Sequence, residues 1–390
     1  MSGFKIYGHC PGALRPMGSG DGLVVRIRPP LGRLTPAQAR GLAEAAAQFG
    51  TGNLELTSRA NLQIRGIPEA AHPALIGALS ALGLVDPDPA AERARNLIVT
   101  PFHRAGDSTM ELAGALTETL LTAPSLPAKF GLALDCGRAP VLRDTAADIR
   151  IERDAGGRLL IRPDGLSEGQ LTTASEAPGA VLSLLRWFAD HGVGADGRGR
   201  MRDAAARLTS FRAQAAPAPA ATTPPAGPAE GGLLVAAPFG LLPAKALAAL
   251  ADHASELRLT PWRALFLPDS PDLPALPDVP GLITDPGDPL LRVSACTGAP
   301  GCPQALAATR PLARSLAAHL PPGQRLHVSG CAKGCAHPDP AEITLTATPE
   351  GFSLAHHARA ADPPERRGLS PQTLLASPSL LTRTDDAPSL

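Results

Sequence analysis

The sequence predicts an α+β fold assembled from two similar halves, and three observations carry that expectation. Short apolar runs alternate with helical ones early in the chain, in the order strand, helix, strand, helix. The order recurs after an Ala/Pro/Thr/Gly segment at 213–232, where Leu257–Leu267 aligns without gaps on Leu54–Ile64 and shares Leu, Leu, Thr and Leu at 54, 56, 57 and 62. Each copy then runs into a further strand, Arg95–Pro101 in the first and Leu291–Cys296 in the second.

Taken in order, Leu23–Pro29 reads as a strand ended by proline. Thr35-Pro36 opens a helix, with Thr at the N-cap and Pro at the first helical position. Leu42, Ala45, Ala46 and Phe49 follow helical spacing, and Gly50 closes it. Asn53–Ile67 reads as one long strand, which puts Thr57, Arg59, Asn61, Gln63 and Arg65 on one face. A helix over about 69–82 completes half of a ferredoxin-like unit. Arg26 and Arg28, two apart, share a face on the neighbouring strand. Solvated faces usually mix lysine with glutamate. This one offers arginines and amides with no acid opposite Arg59 or Arg65, and arginine forks suit carboxylates. Periodicity alone leaves an anionic ligand and plain solvent both open.

Further on come a helix over 108–121, a strand before Cys136, a hairpin of 149–152 with 159–162, and a helix over 178–191. Residues 213–231 are expected to form a flexible linker. The second copy is expected to carry a long helix over 303–320 and a hairpin of 343–347 with 351–355. The Pro/Ser-rich tail from 362 is expected to be poorly ordered.

Cys296 and Cys302 are spaced C-x5-C, and Cys331 and Cys335 C-x3-C, both in loops rich in Gly and Pro. Four thiolates in two such loops suit an iron–sulfur cluster, whose sulfurs also gain from nearby backbone N–H groups. A structural zinc site prefers closer pairs, and two disulfides need an oxidising compartment. Cys10 and Cys136 fall outside the pattern and read as free thiols.

With 36 basic and 36 acidic residues the formal charge is zero, which argues against a general attraction to nucleic acid. Nine Phe, two Trp and one Tyr leave little for base stacking. The most apolar stretch, 233–251, is broken by two prolines and Lys245, and the N-terminus lacks a signal-type apolar run, so no membrane partner and a cytoplasmic location are expected. The glycine run Gly194-x-x-Gly197-x-Gly199 follows a helix, the wrong context for a nicotinamide fingerprint.

The chain resembles the nitrite/sulfite reductase superfamily from about Gly12 to Ala355. Leu56-Thr-Ser-Arg-Ala-Asn-Leu-Gln63 resembles its Thr-x-Arg-x-x-x-Gln strand, Arg95-Asn96 its Arg-Asn motif, and Leu126-Pro-Ala-Lys-Phe130 its lysine motif. The resemblance implies two ferredoxin-like halves (12–85 and 232–290) and two cluster- and tetrapyrrole-binding lobes (86–212 and 291–361), related by a pseudo-two-fold repeat. It implies a [4Fe-4S] cluster on Cys296, Cys302, Cys331 and Cys335, with Cys335 nearest the pocket. It also implies substrate contacts from Arg26, Arg28, Arg59, Asn61 and Gln63, and catalytic roles for Arg95 and Lys129; Arg65 joins the expected substrate contacts from its place on the same face. The reductases' second pocket lysine is replaced here by Gly131. That departure, with Cys10-Pro-Gly-Ala-Leu-Arg-Pro-Met-Gly-Ser-Gly-Asp-Gly-Leu and Ser329-Gly-Cys-Ala-Lys-Gly-Cys-Ala-His-Pro338, resembles the precorrin-3B synthase branch.

Members of that branch hydroxylate precorrin-3A with dioxygen and close a γ-lactone. The resemblance therefore implies an electron donor, a reductase or ferredoxin using NAD(P)H. A separate mononuclear non-haem iron would draw on His103 or His337, each more simply read as structural. The alternatives are a sirohaem-dependent nitrite or sulfite reductase, and a non-enzymatic tetrapyrrole-binding or electron-carrying protein.

Overall fold

The computed structural model describes residues 10–104, 106–137, 140–270 and 279–382. Four five-stranded sheets form two matching pairs. The first runs, in spatial order, β1 (Met17–Ser19), β2 (Gly22–Ile27), β5 (Leu62–Ile67), β4 (Asn53–Leu56) and β13 (Leu241–Pro243). Its counterpart runs β11 (Gly227–Ala229), β12 (Gly232–Ala236), β15 (Ala264–Pro268), β14 (Leu257–Leu259) and β3 (Arg33–Leu34). Both are antiparallel throughout. Each sheet takes its last strand from the other half, so the halves are interlocked.

Helix α1 (Pro36–Phe49) starts where expected. Thr35 Oγ1 accepts from the Gln38 backbone N–H at 3.2 Å, and Gln38 Oε1 accepts from the Thr35 N–H at 3.0 Å. Its partner in the repeat is α7 (Ala244–His253). Leu42, Ala43 and Ala46 of α1 share one core with Leu247, Leu250 and Ala251 of α7. The small alanines let the two helices meet across the pseudo-two-fold axis, and the single core joins the halves. Helices α2 (His72–Ala81) and α3 (Pro89–Ala94) lead into the first lobe.

The lobes repeat as closely. The first sheet runs β6 (Leu97–Val99), β7 (Leu132–Asp135), β8 (Ile149–Arg153), β9 (Leu159–Pro163) and β10 (Gln170–Leu171). Helices α4 (Thr109–Leu121) and α5 (Ala177–His191) share its core, and the short α6 (Met201–Ala204) follows. The second sheet runs β16 (Val293–Ala295), β17 (Leu326–Ser329), β18 (Ala341–Thr348), β19 (Gly351–Ala358) and β20 (Arg366–Leu369). Helices α8 (Arg310–Ala317) and α9 (Pro371–Ala376) pack on it. Three parallel strands are followed by antiparallel ones in both. The α+β fold of two halves and two lobes is the one expected, and the exchange of edge strands between the halves is added by the structure. No helix among the described residues is long and apolar enough to cross a membrane.

Four local expectations are corrected. Asn53–Ile67 is a hairpin, not one strand: β4 turns back on β5, pairing Leu54 with Ile64 and Leu56 with Leu62. The Thr57 hydroxyl accepts from the backbone N–H groups of Arg59 (3.3 Å) and Asn61 (3.1 Å), and Ala60 takes φ 51°, which closes the turn. The helix expected over 303–320 is only Arg310–Ala317. The residues before it are tied to the second cysteine loop, Leu306 N–H to Gly330 O at 2.8 Å, and Thr309 Oγ1 donates to Cys296 O at 2.6 Å.

The Ala/Pro segment expected as a flexible linker is docked along the first lobe. The Ala215 N–H bonds Gly169 O, the Ala218 N–H bonds Arg153 O, and Arg143 Nη2 donates to Ala218 O. Its last residues form β11. The tail is ordered through 382: β20 pairs with β19, and Leu374 and Leu381 are fully buried. The remaining residues, 383–390, lie outside the described set.

Candidate functional site

The hairpin turn brings Arg59 towards Arg26 of β2 and Arg28 just beyond its end, and the loop before α6 adds Arg200. Burial lowers the Arg26 guanidinium to about 10, with Arg28 and Arg59 adding repulsion against a favourable Cys10. Burial likewise lowers Arg59, and the next contribution is repulsion from Arg200. Such shifts mean that like charges share a poorly solvated space. Arg26 Nε, Arg28 Nε, Arg59 Nη1, Arg95 Nε and Arg200 Nη2 are all buried without a hydrogen-bond partner among the described residues. A buried donor left unmade costs about 1–3 kcal/mol. Five such donors on neighbouring arginines mark a candidate anion site.

Three carboxylates position this cluster without neutralising it. Glu92 accepts from Arg28 Nη1 at 3.1 Å and from the Ala13 N–H at 2.6 Å, pinning segment 12–14 beside β2. A side chain at Gly12 would put a Cβ 2.5 Å from Glu92 Oε2, so the close approach requires glycine. Asp86 accepts from Arg95 Nη2 at 2.7 Å. Asp148, fully buried, accepts from Arg200 Nε at 2.8 Å and from the N–H groups of Met201 (2.9 Å) and Gly131 (3.1 Å).

The expected residues divide unevenly. Arg26 pairs across the strands with Gln63, whose other neighbour is Glu55. Glu55 is taken up by Arg310 at 2.5 Å. Arg28, Asn61 and Arg95 line one small hollow, and Asn61 is 8% exposed. Lys129 is exposed and does not line that hollow. Arg65 stands apart: Asp21 accepts from it at 3.1 Å, correcting the expectation that no acid faces it. Its Nη2 also reaches Ser19 Oγ (2.7 Å) and Gly301 O (2.8 Å), so it ties the first sheet to the cysteine loop. Gly131 cannot simply be exchanged for lysine. A Cβ there would lie 2.8 Å from Asn96 Nδ2, which donates to Phe130 O.

Sequence reasoning did not single out Arg200. One signal existed for Arg200: the glycine run dismissed as a nicotinamide fingerprint ends immediately before it. A Cβ at Gly199 would lie 2.2 Å from Gly192 O, so the run folds back tightly and delivers Arg200 to Asp148.

The cysteine loops leave the C-terminal ends of β16 and β17. The Gly330 N–H points at Cys296 Sγ at 3.2 Å. Burial pushes the Cys335 thiol up, Lys333 pulls against this, and the Cys296, Cys331 and Cys302 sulfurs add to it, so the four thiols face one region. Among the described residues no three His, Cys, Asp or Glu side chains gather closely enough for a single metal ion. Four convergent sulfurs with a backbone N–H aimed at one of them fit a cluster, whose iron atoms take one thiolate each. His103 lies beside Arg258, Arg33 and Glu256, whereas His337 packs edge-on to His327 at 5.8 Å.

A cavity of about 580 Å³ runs from Ser58 at the hairpin turn past Trp262, Arg263 and Phe239 to Cys335 and His337, and the arginines named above do not line it. Arg263 Nη2 donates to Ala336 O at 2.6 Å, holding the cysteine loop to the second sheet.

Residues 15–82 match the nitrite/sulfite reductase ferredoxin-like half domain. The fold is that of the NirA protein of Mycobacterium tuberculosis, with a TM-score of 0.64 over 85% of this chain and 74% of that one, at 19% identity. A ferredoxin–nitrite reductase of Leptolyngbya laminosa is 35% identical over 88 residues, 22% of this chain and 17% of that protein. Fold and site thus define a member of the nitrite/sulfite reductase superfamily. Within it, the chain is 32% identical to a precorrin-3B synthase of a Sinorhizobium species over 381 residues, 89% of this chain and 82% of the relative. The chain belongs to the precorrin-3B synthase family.

Proposed function

We propose that the protein is an enzyme of aerobic cobalamin synthesis that hydroxylates precorrin-3A with dioxygen and forms the γ-lactone that precedes ring contraction. The observation that carries this reading is the set of buried arginine donors left unpartnered among the described residues, near a hairpin turn whose Ser58 lines a cavity reaching Cys335. A tetrapyrrole bearing many carboxylates supplies the missing acceptors, and the cavity volume lies in the ordinary range for small-molecule sites. Arg26, Arg28, Arg59 and Arg200 bind and orient ring carboxylates, with Asn61 and Gln63 adding neutral hydrogen bonds. Arg95 lines the same hollow as Arg28 and acts at the reacting centre, and the exposed Lys129 is the proton donor from the solvent side.

Cys296, Cys302, Cys331 and Cys335 would hold a [4Fe-4S] cluster, which supplies electrons one at a time. One oxygen atom enters the macrocycle and the other leaves as water. The balance takes two electrons and two protons from a donor of the reductase or ferredoxin class. Glu92, Asp86 and Asp148 keep the guanidinium groups in place, which limits reorganisation when the substrate enters. Gly131 fits this reading: one oxygenation needs fewer protons than the six-electron reduction of sulfite, so a missing pocket lysine matters less.

The test is an optical and EPR spectrum of anaerobically purified protein, before and after dithionite, followed by precorrin-3A with oxygen. A broad iron–sulfur absorption without sirohaem bands, and a product heavier by one oxygen atom, is expected. Tightly bound sirohaem with turnover of nitrite or sulfite would replace this proposal with the reductase reading.

A further inference from the structure

Arg65 leaves the same strand as Gln63, yet its guanidinium ends on the cysteine loop. Its Nη2 donates to Gly301 O at 2.8 Å and to Ser19 Oγ at 2.7 Å. The Ser19 hydroxyl donates in turn to the same Gly301 O at 2.8 Å. Asp21 holds the guanidinium from another side, accepting from Nε at 3.2 Å and from Nη2 at 3.1 Å. The pair is largely shielded, with 12% of the Arg65 side chain and 21% of the Asp21 side chain exposed. Gly301 is the residue before Cys302. The two segments also touch through their backbones. A Cβ at Gly20, in the turn between β1 and β2, would lie 2.7 Å from Pro300 O, and one at Gly301 would lie 3.2 Å from Asp21 Oδ2.

The second copy is an internal control. Ser19 pairs with Gly22 and Ala229 with Gly232 at matching points of the two sheets, so Ala229 stands for Ser19 and Gly231 for Asp21. The gap-free alignment of Leu54–Ile64 on Leu257–Leu267 puts Pro268 where Arg65 stands. None of these three has a side chain able to hydrogen-bond, yet the same antiparallel strands form. The scaffold therefore does not need the Arg65 set. The counterpart turn faces the first lobe, where Glu230 pairs with Arg104. The set occurs in the half whose turn faces a thiol loop.

We propose that Arg65, Asp21 and Ser19 form a positioning set for the Cys302 corner of the candidate cluster, and that the Arg65–Asp21 charge balance tunes how readily the cluster takes up an electron. This rests on the cluster reading above and not on the identity of the substrate. Two donors on Gly301 O hold the peptide that leads into Cys302. Cluster potentials respond to nearby net charge, hydrogen bonding and solvent access. Reduction adds one negative charge, so an unpaired cation beside the loop favours it and an unpaired anion opposes it. Paired, the two nearly cancel. Arg65 is thereby a positioning residue for the cluster loop, not a substrate contact.

The experiment uses the full-length protein, purified without oxygen, and two readouts. One is hydrogen–deuterium exchange of residues 298–307, where the Cys302 N–H bonds Gly298 O at 2.8 Å and the Ala299 N–H bonds Ala307 O at 2.9 Å. The other is the EPR signal of protein poised at one fixed potential with dithionite and mediators. Arg65→Gln leaves Asp21 unpaired: exchange should rise, and the reduced-to-oxidised ratio should fall by about threefold or more. Asp21→Asn leaves Arg65 unpaired, and the ratio should rise by a similar factor. The double variant should return the ratio towards that of the parent. Ser19→Ala keeps the ion pair and removes one donor to Gly301 O, so exchange should rise with the ratio unchanged.

A loop that is merely loosened would move both charge variants the same way, so shifts of equal sign overturn the proposal. Should Arg65→Gln fail to fold or to hold iron, the other two single variants decide: no rise in ratio in Asp21→Asn, or no faster exchange in Ser19→Ala, overturns it. A parent without any iron–sulfur signal overturns the cluster reading and this proposal with it. A parent with the signal, and variants that match it in both readouts, overturn this proposal alone.

Discussion

The turns at 57–61 and 260–264 have the same backbone and opposite side-chain balances. In each a threonine N–H bonds a carbonyl four residues on, Thr57 to Asn61 and Thr260 to Ala264. The threonine hydroxyl accepts a backbone N–H in both, and the fourth residue adopts positive φ, 51° at Ala60 and 60° at Arg263. Yet Arg59 keeps a buried donor free, whereas Arg263 donates to Ala336 O. The lobes differ in the same way. The Thr100 N–H bonds Leu134 O in the first, and the Cys296 N–H bonds Val328 O in the second, at matching points of matching sheets. Main-chain hydrogen bonds and small core residues carry the repeated scaffold. The loop side chains were therefore free to diverge, one copy towards a cluster of arginines and the other towards four thiols.

The largest test of this division is at the thiols. Cys331→Ser or Cys335→Ser should abolish both the reduced-cluster EPR signal and activity, while Cys136→Ser in the first lobe should leave the signal intact. A signal of normal intensity in Cys335→Ser would break the assignment.

A pH dependence follows next. His327, fully buried on β17 with neither ring nitrogen partnered among the described residues, is lowered to about 4 by burial, then by His337 and Arg263. Its counterpart in the first lobe is Ala133. Between pH 6.5 and 4 the unfolded chain takes up a proton that the folded chain refuses, so stability falls as pH falls through that window. The loss from this residue is about 3 kcal/mol. His103, also lowered to about 4, acts in the same direction. Thermal midpoints of His327→Ala should depend less steeply on pH between 6.5 and 4 than those of the parent. Equal slopes would remove His327 from the account.

At the anion site, Arg59→Ala should weaken tetrapyrrole binding by about 1–3 kcal/mol, as for a lost charged hydrogen bond. Arg65→Ala should weaken it less, because Arg65 is already paired with Asp21. Titration of both variants with uroporphyrin decides this, and the reverse ranking would return Arg59 to a structural role. The smallest effect concerns the shared turn. Ala60 adopts a left-handed backbone that glycine accepts more readily, so Ala60→Gly should raise stability by no more than about 1 kcal/mol. A clear fall in thermal midpoint would show that the alanine methyl group packs more than it strains.

Much of this was legible in the chain. The Thr35-Pro36-x-Gln38 signature set the start of α1, because capping is local chemistry. The duplication was visible because hydrophobic spacing survives when loop side chains change. The cysteine spacing marked the candidate cluster loops, and the arginine-rich segment marked part of the candidate anion site. The turn inside 53–67 was hidden because its signal is a threonine hydroxyl and an alanine at positive φ, neither of which breaks strand alternation. The Ala/Pro segment and the tail read as loose by composition, yet sheet edges and the core capture them through backbone bonds and a few leucines.

The sequence by itself determined the class of fold, its two-fold repetition and the four thiols, since periodicity and spacing are properties of neighbouring residues. Only the tertiary structure decided which arginines remain unpaired. Arg65 meets Asp21, Arg95 meets Asp86 and Arg28 meets Glu92, while Arg59 is left with Arg200, from far along the chain, and with Cys10. Whether a charge is free depends on what faces it across space, and a linear spacing does not contain that.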